Sequence, residues 1–129
     1  MKKILFVCIE NSNRSQMAEA FATMYGQGDV LAFSAGSLPS GKINPKAIAA
    51  MKELGYDLSN HSSKSLEEVK NEAPFDVVVT MGCGDACPWM PAKKHIDWQI
   101  PDPRAMEPDA FNIVRDSIKG RVEDLIDLL

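Results

Sequence analysis

Cysteine and histidine are scarce, at three and two residues in a chain of 129. Three cysteines are too few, and odd in number, for the disulfide framework of a small secreted domain. Long hydrophobic runs are missing too. Nothing approaches the roughly 18 consecutive apolar residues that span a bilayer. After Met1-Lys2-Lys3 the apolar run Ile4 to Val7 is short and no small-residue cleavage site follows, so neither a membrane segment nor a signal peptide is expected. Internal repeats, low-complexity tracts and linkers are absent. Positive charge is limited to fourteen Lys and Arg against eighteen Asp and Glu, a net charge of -4, which argues against a surface that coats nucleic acid. What is left is one globular, cytoplasmic domain over residues 1–129, with ordinary hydrophobic (45%) and charged (25%) contents. In a reducing compartment its thiols are inert core residues, metal ligands or working groups.

The pattern of elements alternates. Ile4 to Cys8 reads as a buried strand, and Arg14 to Tyr25 as a helix with Met17, Phe21 and Met24 at helical spacing. Val30 to Ala35 reads as a second strand, closed by Gly36. Asn44-Pro45 pairs a cap with a first-turn proline and opens a helix running to Gly55. Ser65 with Glu68 gives a capping-box pattern for a short helix. Phe75 to Met81 is the most β-branched run and reads as a central strand, and His95 to Trp98 as one more. Phe111, Val114, Ile118, Val122, Leu125 and Leu129 fall on one face of a long final helix. This predicts an α/β fold of three layers, with a central parallel four-stranded sheet flanked by helices. Right-handed crossovers put all strand C-terminal ends on one edge, where ligands bind. Cys8 ends the first strand, and Cys83 and Cys87 follow the strand expected beside it, so all three thiols come to one rim.

The segment Cys8-Ile9-Glu10-Asn11-Ser12-Asn13-Arg14-Ser15 joins the first strand to the first helix. A loop that ends at a helix N-terminus turns several backbone N–H groups inward and adds the positive end of the helix dipole, which suits a tetrahedral oxyanion. Arg14 supplies a planar fork for two of its oxygens. Cys8 lies at the start of the loop, beneath the anion, where the same donors and a hydrogen bond from Ser15 favour its thiolate and make it a nucleophile. Singly, Cys8 reads as a buried strand-end residue and Arg14 as a solvated one. Six apart across a strand–loop–helix junction, with Ser15 next, they are far more specific. Glu10 is repulsive in such a loop unless it points outward.

Cys-x5-Arg-Ser at the end of the first strand resembles the low-molecular-weight tyrosine phosphatase family. The continuation Arg14-Ser15-Gln16-Met17-Ala18-Glu19-Ala20 resembles the arsenate reductases built on that fold. So do Ser34-Ala35-Gly36, Asn44-Pro45-Lys46-Ala47-Ile48, Asp57-Leu58-Ser59 and Asp102-Pro103, and the likeness covers nearly the whole chain. It implies a three-thiol relay. Cys8 attacks arsenate held by the loop and Arg14, and Asp102 protonates the departing oxygen. Cys83 attacks Cys8 and releases arsenite, and Cys87 then resolves the Cys8–Cys83 disulfide. An external thiol, whether thioredoxin, glutathione with glutaredoxin, or another low-molecular-weight thiol, closes the cycle. Residues 81 to 92 are expected to move in it, and no cofactor is implied. A monomer is expected. The family pattern often has glycine at position 10 and a second cysteine at position 13, where this chain has Glu10 and Asn13. Some members bind potassium through positions matched by Asn11, Glu19 and Ser34. Lys64 replaces a usual acid there, and its ammonium is expected to take the place of the ion.

Two other functions compete. A protein tyrosine phosphatase needs only Cys8, Arg14 and Asp102, yet usually carries aromatic residues about its pocket, and Arg104 and Ala105 follow Asp102-Pro103 here. A zinc-binding module would draw on Cys83, Cys87, His95 and an Asp or His61, but it leaves the Cys8–Arg14 loop unexplained. Trp89 and Trp98 read as packing residues, His61 and His95 as solvated or capping, Met17, Met24 and Met51 as core-facing, and Arg115, Lys119 and Arg121 as a solvated helix face.

Overall fold

The computed structural model describes residues 1–82 and 89–129. Its core is a four-stranded sheet of β1 (Lys2–Cys8), β2 (Val30–Gly36), β3 (Phe75–Thr80) and β4 (Ala92–Asp97), in the order β2-β1-β3-β4. Every neighbouring pair is parallel. β1 is central and buried on both faces, which explains its unbroken apolar run. Strand alternation sends Ile4, Phe6 and Cys8 to one side and Leu5 and Val7 to the other.

The first side packs against α1 (Arg14–Tyr25), α2 (Pro45–Lys52) and α4 (Pro108–Asp127), with Met17, Phe21, Met51, Phe111, Ile118 and Val122 in the shared core. The second is covered by α3 (Leu66–Val69) through Leu66 and Val69. The caps behave as the sequence predicts. Asn44 Oδ1 accepts the Lys46 N–H at 2.9 Å, and the Ser65 N–H donates to Glu68 Oε2 at 2.7 Å. No helix among the described residues is long and apolar enough to cross a membrane.

Several expectations are corrected. β1 begins two residues earlier than its apolar run, because Lys2 and Lys3 pair with Val30 and Leu31. β4 begins at Ala92, three residues before His95. It is an edge strand of mostly exposed polar residues, so no apolar alternation announces it. α2 ends at Lys52 and is followed by Gly55 at φ +82°. Met24 and Leu129 are exposed, and Trp89 lies on the surface stacked against His95, whereas Trp98 is buried against Phe6. Arg115 is the largest departure. It is buried, its Nη1 donates to Ala50 O at 2.9 Å and its Nε to Asp116 Oδ1 at 2.8 Å, so it ties α4 to α2.

Candidate active site

β1 delivers Cys8 to the C-terminal edge of the sheet, in register with Gly36 of β2. The chain then turns through Ile9–Asn13 into α1. The carbonyls of Cys8, Ile9, Glu10 and Ser12 accept N–H groups from Ser37, Leu38, Ser40 and Asn44 at 3.3, 2.8, 3.0 and 3.1 Å. Those carbonyls are therefore drawn outward. The N–H groups of Glu10, Asn11, Ser12 and Asn13 have no acceptor among the described residues. A run of free N–H groups at a helix N-terminus is an anion nest. Gly36 makes the turn possible: a Cβ there would lie 2.5 Å from Ile9 O and 2.9 Å from Asn11 N.

Asn11 holds the loop from within. It takes a left-handed φ of 51°, tolerable for asparagine, and is fully buried. Its Oδ1 accepts the Lys64 N–H at 2.7 Å and Gln16 Nε2 at 2.8 Å, while its Nδ2 donates to Ser15 Oγ at 2.7 Å. Ser15 Oγ lies 2.8 Å from Cys8 Sγ. Because Asn11 fills an acceptor position on Ser15, the hydroxyl proton is free to point at the sulfur. The expected Ser15–Cys8 contact is present.

Arg14 is buried and donates from Nη1 to Ile100 O at 3.0 Å. Its guanidinium rests against Gly82, where φ is +85° and a Cβ would sit 2.5 Å from Nη1. Cys8, Arg14 and Asp102 line one cleft of about 240 Å3 together with Ile9, Glu10, Ser12, Asn13 and Arg104. Glu10 resolves its own difficulty: its carboxylate is paired with Arg104 on the opposite wall. Asp102 Oδ1 accepts the Arg104 N–H at 3.0 Å, which shapes the turn carrying the acid. Cys83 and Cys87 lie outside the described residues, as does half of the 81–92 segment expected to move. Gly82, the residue before Cys83, is in contact with the Arg14 side of the cleft.

The sequence did not reveal the part played by His61. It is largely buried behind the loop, with Nδ1 2.9 Å from Gln16 Oε1 and 3.3 Å from Glu19 Oε2, and Nε2 2.6 Å from Tyr56 Oη. An amide oxygen only accepts, so Nδ1 carries the proton, and Nε2 accepts from Tyr56. Burial pulls the His61 pKa below its ordinary value, against the opposing pull of Glu19, while Lys64 adds to the lowering. Burial likewise raises Tyr56, helped by Glu19 and Asp57. One hydrogen-bonded chain therefore runs from His61 through Gln16, Asn11 and Ser15 to Cys8. Its signal in the sequence was only the run Asn11, Ser15, Gln16; the partner lies 45 residues away.

The matched potassium positions hold an internal cation instead. Ser34 Oγ donates to Glu19 Oε1 at 2.7 Å, and Lys64 Nζ stands 3.8 Å from the same oxygen and 2.8 Å from Ser62 O. With an ammonium among these groups, the donor set does not suit a metal cation.

Comparison with known proteins agrees with this geometry. Residues 3–129 match the family described as low molecular weight phosphotyrosine protein phosphatase. A glutaredoxin arsenate reductase from Synechocystis sp. is 43% identical over 129 residues, covering 98% of this chain and 97% of that protein. A solved structure of an arsenate reductase in the phosphate-binding state superposes with a TM-score of 0.89 at 42% identity, covering 98% of both chains. A thioredoxin-dependent arsenate reductase from Corynebacterium glutamicum superposes at 0.80 with 35% identity, covering 99% of this chain and 63% of that one. With Cys8 beneath the nest, Arg14 beside it and the match running almost end to end, the chain belongs to the low molecular weight phosphotyrosine protein phosphatase family.

Proposed function

We propose that the protein reduces arsenate to arsenite by a thiol–disulfide relay. The observation that carries this reading is the Cys8 thiol, 2.8 Å from Ser15 Oγ, at the floor of an anion cleft shared with Arg14 and Asp102. Gly82, which lies against Arg14, immediately precedes a second cysteine in the sequence. A phosphatase needs a single thiolate and water, whereas taking arsenic from the +5 to the +3 state needs two electrons, which a pair of thiols supplies. Relatives named as arsenate reductases at 43% and 42% identity support the same choice.

The nest and Arg14 hold the oxyanion, and the Cys8 thiolate attacks arsenic. Asp102 gives its proton to the departing oxygen, which leaves as water. The thiolate of Cys83 then attacks the sulfur of Cys8. The arsenic–sulfur electron pair stays on arsenic, and arsenite leaves. The Cys87 thiolate attacks Cys83, returning Cys8 as a thiolate and forming the Cys83–Cys87 bridge. A dithiol reductant of the thioredoxin or glutaredoxin class reopens that bridge. Relatives named for each of the two donors support this class.

The test is NADPH consumption with arsenate, using thioredoxin with thioredoxin reductase, or glutathione with glutaredoxin and glutathione reductase. Wild type is expected to turn over with one of these systems. Cys8→Ser should abolish turnover, and Cys87→Ser should stop it after a single round. Ester hydrolysis requiring Cys8, with no arsenate-dependent oxidation of either donor, would make the protein a phosphatase.

A further inference from the structure

We propose that the Glu10–Arg104 ion pair is a clasp across the rim of the anion cleft, one that admits unsubstituted tetrahedral oxyanions and disfavours phosphate monoesters. This specifies the substrate class of the site and rests on the function proposed above. Glu10 belongs to the nest after β1, and Arg104 to the turn that carries Asp102. Both line the cleft that holds Cys8. Depth separates them from the nucleophile: Cys8 is 3% exposed, whereas the Glu10 and Arg104 side chains are 33% and 62% exposed.

Each end of the clasp is anchored by backbone contacts that do not involve the ion pair. The Glu10 carbonyl accepts from the Ser40 N–H and from Ser63 Oγ, both at 3.0 Å. The Arg104 carbonyl accepts from Lys46 Nζ at 3.0 Å, and its N–H donates to Asp102. The two walls are thus held independently, and opening the rim means parting the two side chains.

Attack at a tetrahedral centre is in line, so the leaving oxygen points away from Cys8, toward Asp102 and the rim. On arsenate that oxygen carries at most a proton. On a monoester it carries the organic group, which must pass between the walls that Glu10 and Arg104 bridge. An ester therefore has to break the pair, and an inorganic oxyanion does not. The same pairing neutralises the carboxylate that would otherwise repel any dianion entering the nest.

The test compares the kcat/KM for p-nitrophenyl phosphate with that for arsenate in wild type, Glu10→Gln and Arg104→Met, with thermal midpoints confirming that each variant is folded. A simple field effect has opposite signs in the two variants. Loss of a negative charge helps both substrates, loss of a positive charge hinders both, and their ratio stays fixed. The clasp instead requires the ester-to-arsenate ratio to rise in both variants, by about 1.4-fold to fivefold, the range open to a partly exposed ion pair. A ratio that stays fixed, or moves oppositely in the two, overturns the proposal while leaving the reductase intact. A wild type that reduces no arsenate with either donor overturns the reductase reading and the proposal with it.

Discussion

Replacing Ser15 with alanine isolates how much of the Cys8 reactivity depends on the hydrogen bond between their side chains. Ser15 Oγ lies 2.8 Å from the sulfur and accepts from Asn11 Nδ2 at 2.7 Å, which leaves the hydroxyl proton for the thiolate. A hydrogen bond to a charged group contributes about 1.5–3 kcal/mol. At 1.4 kcal/mol per factor of ten, its loss weakens the stabilisation of the anionic sulfur by roughly 10- to 150-fold. A thiolate that has lost a donor is also a better nucleophile, with a Brønsted coefficient of about 0.5. The two effects leave alkylation slower by roughly 3- to 12-fold.

The assay is the rate of iodoacetamide labelling at pH 6.5, in a Cys83→Ser, Cys87→Ser background where Cys8 is the sole thiol. The buried Nδ2 of Asn11 loses its acceptor in the same variant, and the fold should weaken by about 1–3 kcal/mol in urea titration. Labelling that is unchanged or faster in Ser15→Ala, with the fold intact, would refute the assignment of the hydroxyl proton to Cys8.

Other outcomes follow from the same geometry. Gly82→Ala should cost about 1–2 kcal/mol of stability, since a Cβ is strained at φ +85°, and should cut the kcat/KM for arsenate about tenfold or more, because the new Cβ meets Arg14 Nη1 at 2.5 Å and Ile100 O at 3.1 Å; steady-state kinetics beside a thermal melt separate the two effects. His61 is held below its ordinary pKa by burial, so the unfolded chain takes up its proton first as the pH falls. Its stabilising contribution is complete above about pH 6.5 and is lost as the pH drops through that value toward the lower folded one. The thermal midpoint should therefore decline from pH 7 to pH 5, and His61→Gln should flatten that decline. Potassium added at constant ionic strength should not raise catalytic efficiency, since Lys64 already supplies a positive charge beside Glu19; a clear rise in kcat/KM would contradict this.

The parts of the molecule governed by local rules were legible from the sequence. The β1 run, the Asn44-Pro45 cap and the Cys8-to-Arg14 spacing each follow from short-range chemistry, and the structure places them accordingly. Long-range pairing was not legible. Arg115 has the pattern of a solvated helix charge, and only the carbonyl of Ala50 on another helix explains its burial. His61 gives no hint of Gln16, because the turn after α2 brings them together. Edge strand β4 hides its pairing behind Lys93, Lys94 and His95, whose side chains meet solvent. Glu10 looked like an obstacle until Arg104, 94 residues later, supplied its partner.

The parallel register between β1 and β3 also bears on how this architecture can change over time. Ile4 to Val7 are matched to Val77 to Thr80, and the Met81 N–H closes the ladder on Val7 O at 2.8 Å. The point where the chain departs toward its second and third cysteines is thus pinned to the strand that ends in Cys8. Insertions and deletions after Gly82 can lengthen or shorten the stretch of sequence that bears Cys83 and Cys87 without disturbing that register. The interval between Cys83 and Cys87 can therefore change while the register that sets Cys8 stays constant.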